Sequence, residues 1–292
     1  MVRHSKVLMV ICISAILLCS SCSPVLLEEN SRPVTAVLGA FEREIIMLED
    51  ELTDKQEQRI EGMKFASGRL NGKRIVVAWT GIGKVNAAMT TTLLIEHFRP
   101  NEVIFTGVAG GINPQLSPGD IVIAEKTAQH DSGTLWPDSF EHRGARNPLD
   151  GWRNPVFFPA DERLLKLAVQ AAEQVELETI KTSIGERTPR IVKGVVVTGD
   201  VFVASPEKCT ELRNELGADA VEMEGAAVAQ ICYQQGIPCL VIRSISDKAD
   251  EKAREDLGMF HTMAAKNSAR LVTEMVELLA SELSVEKSQK PQ

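Results

Sequence analysis

The 292-residue sequence predicts one α/β domain: a central, mixed, mostly buried β-sheet flanked by helices. Three observations predict it. From residue 33 onward, short runs dense in Val and Ile alternate with segments of helical spacing, the mark of strands covered on both faces. Several of these runs end in glycine or an acid, where a strand turns into the next helix. The composition, 44% hydrophobic and 25% charged, is that of a globular chain, and the length suffices for one large α/β domain or two small ones.

The elements follow in order. "PVTAVLGAF" (33–41) reads as a buried strand, and "EREIIMLEDEL" (42–52) as a helix with Ile45, Ile46, Leu48 and Leu52 in helical register. "KRIVVAWTGIG" (73–83) is a strand running into a glycine turn, and "KVNAAMTTTLLIEHF" (84–98) a helix stopped by Pro100. "NEVIFTGVAGG" (101–111) and "GDIVIAE" (119–125) are strands, and "ADERLLKLAVQAAEQV" (160–175) is a helix. "KGVVVTGDVFVAS" (193–205) is a strand and turn, followed by "PEKCTELRNEL" (206–216), a helix with proline in its first turn. "GAAVAQICYQQG" (225–236) is a helix ended by glycine, "IPCLVIRSISD" (237–247) a strand, and a last helix spans about Phe260 to Leu283. One stretch breaks the rhythm. Residues 132–159 hold four prolines, three glycines and two of the three tryptophans, which predicts a lid or a subunit contact. No internal repeat is visible.

The N-terminus reads separately. Arg3 and Lys6 precede the apolar run "VLMVICISAILLC" (7–19), which has the length of a signal h-region and is short for a membrane span. Ser20-Ser21-Cys22 is similar to a bacterial lipobox, although Cys19 stands where such boxes usually carry Leu. The expected organisation is a lipoprotein-type signal peptide over 1–21, a linker over 22–32, the folded domain over 33–283 and a flexible tail over 284–292. Lipidation would fall on Cys22, giving an exported, membrane-anchored protein; a leader without function would leave it cytoplasmic. Cleavage removes two positive charges from a chain of formal charge −8, leaving −8 − 2 = −10. That sign disfavours nucleic acid and anionic membrane surfaces as partners, so contact with a membrane is expected only through the lipid. Cys209, Cys232 and Cys239 remain, an odd number without metal-ligand spacing, and are expected to be free thiols.

In open α/β sheets, ligands bind beyond the carboxyl ends of strands. The strand ends here gather Glu42 or Glu44, Gly107 to Gly111, Phe202, Glu222 to Glu224 and Ser246-Asp247. "GIGKVN" lacks the third glycine of a dinucleotide loop, no phosphate-loop motif occurs, and no His/Cys/acid group has metal spacing, so neither cofactor nor metal is expected. His130-Asp131 reads as a hydrogen-bonded or solvated loop pair. What remains suits a neutral, hydroxyl-rich ligand with a ring. Carboxylates also suit glycosidic cleavage, in which one acid protonates the leaving group, another handles water, and negative charge favours an oxocarbenium-like transition state.

In order and spacing, "VTAVLGAFEREI", "TGIGKVNAA", "TGVAGG", "GDIV", "TGDVFV", "AVEMEGAAVAQIC" and "VIRSISDKAD" resemble the 5′-methylthioadenosine/S-adenosylhomocysteine nucleosidases, within the nucleoside phosphorylase family. The resemblance spans about residues 34 to 283 and implies a three-layer α/β/α fold. It implies Asp247 as the general acid protonating adenine at N7, Ser246 as its orienter and Glu44 as the base activating water. Glu224 would bind the ribose hydroxyls, with Met223 beside the sugar. Phe202 would stack on adenine and the Val203 backbone would read its edge. Ala109 and Gly110 would line the pocket, Arg243 would hold the acid cluster, and Glu222 would support, paired with Arg243. A homodimer is implied, a neighbour's loop walling the 5′-thio pocket. Three positions depart from the pattern: Leu257 replaces an aromatic that closes over the purine, Val108 replaces a Ser, and Arg43 stands where phosphorylase relatives place a phosphate-binding arginine. Arg43 makes phosphorolysis one alternative, and the lipoprotein-like leader makes a surface-binding protein on the same fold another.

Overall fold

A computed structural model of the chain describes residues 33–182 and 185–289. The signal peptide, the linker and Cys22 lie outside the described residues. Val34–Gln292 forms one unit.

The first strand, β1 (Val34–Gly39), is wholly buried and enters α1 (Glu42–Asp50). A hairpin of β2 (Thr53–Ile60) and β3 (Met63–Leu70) follows, then β4 (Lys73–Trp79), α2 (Lys84–Phe98), β5 (Glu102–Phe105), β6 (Val108–Gly111) and β7 (Ile121–Gln129). Next come β8 (Gly133–Trp136), β9 (Ser139–His142), β10 (Phe157–Pro159), α3 (Glu162–Gln174), β11 (Ile180–Thr182), β12 (Gly185–Arg187) and β13 (Ile191–Thr198). The chain finishes with α4 (Pro206–Leu216), β14 (Ala220–Glu222), α5 (Gly225–Gln235), β15 (Cys239–Asp247) and α6 (Ala253–Gln289). Ser205 accepts from the Lys208 N–H at 3.2 Å and Pro206 opens α4, as expected of a capped start. Gly217 and Gly236 end α4 and α5 in the left-handed conformation.

The main sheet has eleven strands in the order β10-β7-β13-β14-β6-β15-β5-β1-β4-β3-β2, and β7 also pairs with β15. It is mixed. β1 runs parallel to β4 and β5, while β3 meets β4, and β14 meets β6, antiparallel. Period-two alternation sends successive β1 side chains to opposite layers. Ala36 and Leu38 pack with Ala87 and Leu94 of α2 and Val228 of α5, and Val37 packs with Ile45 and Leu48 of α1 and Met275 of α6. The expected α/β class and mixed sheet hold.

Three local expectations need correction. The β2–β3 hairpin was not anticipated, because β2 is exposed along its length and carries no apolar alternation. Residues 132–159 are not a plain loop: β8 and β9 form a hairpin, and β10 joins the sheet edge against β7. The last helix begins at Ala253, well before Phe260.

Candidate active site

The carboxyl ends of β1, β6, β14 and β15, with the loop after β13, surround a cavity of about 170 Å³. Ala109, Gly110, Phe202, Val203, Glu222, Met223, Glu224, Ser246 and Asp247 all line it, so most residues singled out from the sequence meet in one place. Phe41, Ile82, Val108, Val201, Val221 and Leu257 complete the wall. Glu44 and Arg243 stand behind that wall rather than in it.

Glu44 lies at the third position of α1, where a first-turn acid is ordinarily solvated, yet it is buried. The turn after β1 folds its carboxylate back on the chain. Oε2 accepts the N–H groups of Ala40 and Phe41 at 2.6 and 2.9 Å, and Oε1 accepts that of Val108 at 2.9 Å. Four acceptor positions less three donors leave Oε1 one free lone pair. Burial raises the Glu44 pKa, opposed by the Arg243 charge and by these N–H groups. Gly107 makes the arrangement possible: its φ is +154°, and a Cβ there would stand 2.6 Å from Glu44 Oε1.

Glu222 and Glu224 differ sharply. Glu222 accepts from the Thr198 hydroxyl, from the Glu224 and Gly225 N–H groups, and from Arg243 Nη2 at 2.8 Å. Its charge is therefore neutralised within the protein. Arg243 is 1% exposed, lies 4.1 Å over the Phe105 ring, and donates to the carbonyls of Phe105 and Ile242. It holds Glu222 and does not line the cavity, so the role left to it is support. Among the described residues Glu224 accepts only the Gly83 N–H, at 2.8 Å, on Oε1, and keeps its other oxygen for the cavity. Burial first, then the Glu222 charge, push Glu224 up to about 8.

Asp247 ends β15. Its Oδ2 accepts the Ser246 hydroxyl at 2.7 Å and its Oδ1 the Ala249 N–H at 2.8 Å. It does not cap α6, which starts six residues later by number (253 − 247). Burial raises its pKa above the usual carboxylate range, helped by Asp256 and Asp250. The wall thus carries two carboxyl groups that burial inclines to hold protons, Glu224 and Asp247.

Other sequence expectations resolve plainly. His130 is buried with Nε2 unpartnered, and Asp131 instead pairs with Lys84 Nζ at 2.6 Å and the Asp200 N–H at 2.9 Å, so the two are neither a bonded nor a solvated pair. Burial lowers the His130 pKa. Arg43 is exposed and does not line the cavity. Among the described residues the cysteines are free thiols: Cys232 and Cys239 buried, Cys209 half-buried. Sequence reasoning missed Thr198, Phe41 and the Gly83 N–H. The signal for the last was "GIGK", a tight glycine turn set aside because it matched no nucleotide loop.

Comparison with known proteins followed the same direction. The family described as the Phosphorylase superfamily matches residues 34–277. The 5′-methylthioadenosine/S-adenosylhomocysteine nucleosidase of Geobacillus thermodenitrificans is 39% identical over 247 residues, covering 84% of this chain and 97% of that protein. The solved nucleosidase of Neisseria meningitidis, in complex with methylthio-immucillin-A, superposes with a TM-score of 0.73 at 38% identity, over 84% of this chain and 98% of that one. The futalosine hydrolase of Helicobacter pylori superposes with a TM-score of 0.70 at 33% identity, over 84% and 97%.

Proposed function

The chain belongs to the phosphorylase superfamily, and within it we infer a 5′-methylthioadenosine/S-adenosylhomocysteine nucleosidase, an enzyme that hydrolyses the N-glycosidic bond to release adenine and the thioribose. The relatives of that name support the activity. The observation that carries it to these residues is the set of three buried carboxyl groups with unequal partners. Asp247, its pKa raised by burial and its carboxyl oriented by Ser246, is the acid for the departing adenine. Glu44 keeps one acceptor site for an attacking water. Glu224 keeps one oxygen for the ribose hydroxyls, and ionised it favours the cationic sugar of the transition state. Phe202 offers its ring to the base, and Met223 an apolar contact to the sugar.

Water is preferred over phosphate on charge. Among the described residues, the one buried arginine there is committed to Glu222, and the cavity wall carries carboxyl groups with no free cation, so a phosphate dianion would find no counter-charge. Arg43 does not offset this from the surface.

The protein acts as a homodimer in this reading. Ile82 and Val201 line the cavity yet are about half exposed, and Val85 and Met89 continue the apolar surface one and two turns along α2. A second copy would cover this patch and complete the wall. The N-terminal segment is read as an export signal with lipid on Cys22; fatty-acid labelling of wild type against Cys22→Ala tests it, and equal labelling would end that idea.

Incubating the purified protein with methylthioadenosine, with and without phosphate, tests the activity. Adenine release independent of phosphate is expected, and strict phosphate dependence would overturn hydrolysis. Asp247→Asn should abolish turnover with the fold intact.

A further inference from the structure

We infer that Arg254 is a positioning residue for the reaction: its guanidinium braces the Phe202 ring and so holds two chain segments closed around the purine end of the cavity. The inference rests on the functional reading above, which gives Phe202 to the base.

The guanidinium carbon of Arg254 lies 5.6 Å from the centroid of the Phe202 ring, within the range of a cation–π contact. Arg254 is exposed and does not line the cavity, whereas Phe202 does. Phe202 thus meets both the cavity and the guanidinium. Arg254 sits among acids in sequence, "DEKARED" over 250–256, and among the described residues none of them pairs with it. Its partner is the ring.

The contact joins the two segments that carry the purine end. Phe202 belongs to the loop between β13 and α4. Arg254 belongs to the first turn of α6, and Leu257, one turn on, lines the cavity. That turn reaches Asp247 through Ala249, whose N–H binds Asp247 Oδ1 and whose backbone is left-handed at φ 51°. Phe202 is 36% exposed, so part of its ring is open to solvent and to the cavity. Leu257 occupies the position where the resemblance leads one to expect an aromatic over the purine. In this chain, the brace from Arg254 supplies the order that a second ring would otherwise give.

The experiment measures KM and kcat for methylthioadenosine, and the Kd for adenine by calorimetry, in wild type, Arg254→Ala, Arg254→Lys, Phe202→Leu and the Arg254→Ala/Phe202→Leu double variant. Arg254→Ala is expected to raise KM and the adenine Kd by about two- to fivefold, the worth of an exposed cation–π contact, with little change in kcat. Arg254→Lys should restore part of the loss, and the double variant should be no worse than Phe202→Leu alone. Wild-type KM and Kd in Arg254→Ala, or the same loss repeated in the Phe202→Leu background, would overturn the inference while leaving the activity standing. A wild-type protein that neither binds nor releases adenine would overturn the functional reading and this inference with it.

Discussion

Arg243 and Glu222 form an ion pair of 2.8 Å, closed off from solvent, that reaches from β15 to β14 across the intervening strand β6. Such a pair is held less for its own energy than for what its loss exposes. Glu222→Gln would leave a buried guanidinium uncompensated, at a cost of about 3–5 kcal/mol. The expected readout is a lower denaturation midpoint, with adenine release falling in parallel because one of the two acceptor oxygens becomes an NH₂ that must face either the Thr198 hydroxyl or the Glu224 and Gly225 N–H groups.

Glu44 is positioned wholly by backbone donors, so its replacement has a definite sign. In Glu44→Gln, an amide NH₂ must face at least one N–H that the carboxylate accepted. Turnover should fall by about 10²–10⁴, the usual worth of a general base, and the melting temperature should fall as well. Steady-state adenine release and a thermal melt on the same preparation check both.

Gly110 separates site damage from fold damage. A Cβ there would stand 3.0 Å from both Asp247 Oδ1 and the Ala249 Cβ. Gly110→Ala is expected to displace the acid and lower kcat by at least about tenfold, with the circular dichroism spectrum unchanged.

The empty site should make stability depend on pH. Glu224 rises from 4.5 to about 8, so between those values the folded protein binds more protons than the unfolded chain. The stabilisation is fully present below pH 4.5 and is lost as pH climbs through 8. Glu44 and Asp247 shift in the same direction. Melting temperature should decline from about pH 5 to pH 8, and the slope should be shallower in Glu224→Gln. An equal slope in both proteins would contradict the burial of an ionisable Glu224.

The exposed face of α2 gives a test of assembly. Val85→Glu places charge on a residue 78% exposed in the single chain. A self-associating chain should shift to monomer in sedimentation and lose affinity for substrate, whereas a chain that works alone should change in neither.

The site was legible because its residues stand at strand ends, where Val/Ile runs make the strands visible and chain order gives the rim. "VEMEGAA" and "SISD" could be located without coordinates for that reason. The pairing of Glu222 with Arg243 came with the resemblance; the structure gives its reason, since both charges are buried and each supplies the other's counter-charge. Other features were hidden for physical reasons. The β2 strand is held by its backbone and faces water on both sides, so its side chains carry no pattern. The turns that flank β3, Glu61-Gly62 from β2 and Asn71-Gly72 into β4, have positive φ throughout, and "NG" was the available signal for the second. The donors that hold Glu44 and Glu224 are backbone N–H groups, which every residue but proline owns, so no letter of the sequence marks them.

Strand β15 pairs with β5 through Cys239–Val241, with β7 through Ile242–Ser244 and with β6 through Ser244–Asp247. The same strand carries Arg243, Ser246 and Asp247. The acid is therefore attached to a strand paired along its whole length in the middle of the sheet, and it cannot be released by fraying of a loop. Heat inactivation should track global unfolding instead of preceding it, and the amides of residues 240–246 should be among the slowest to exchange.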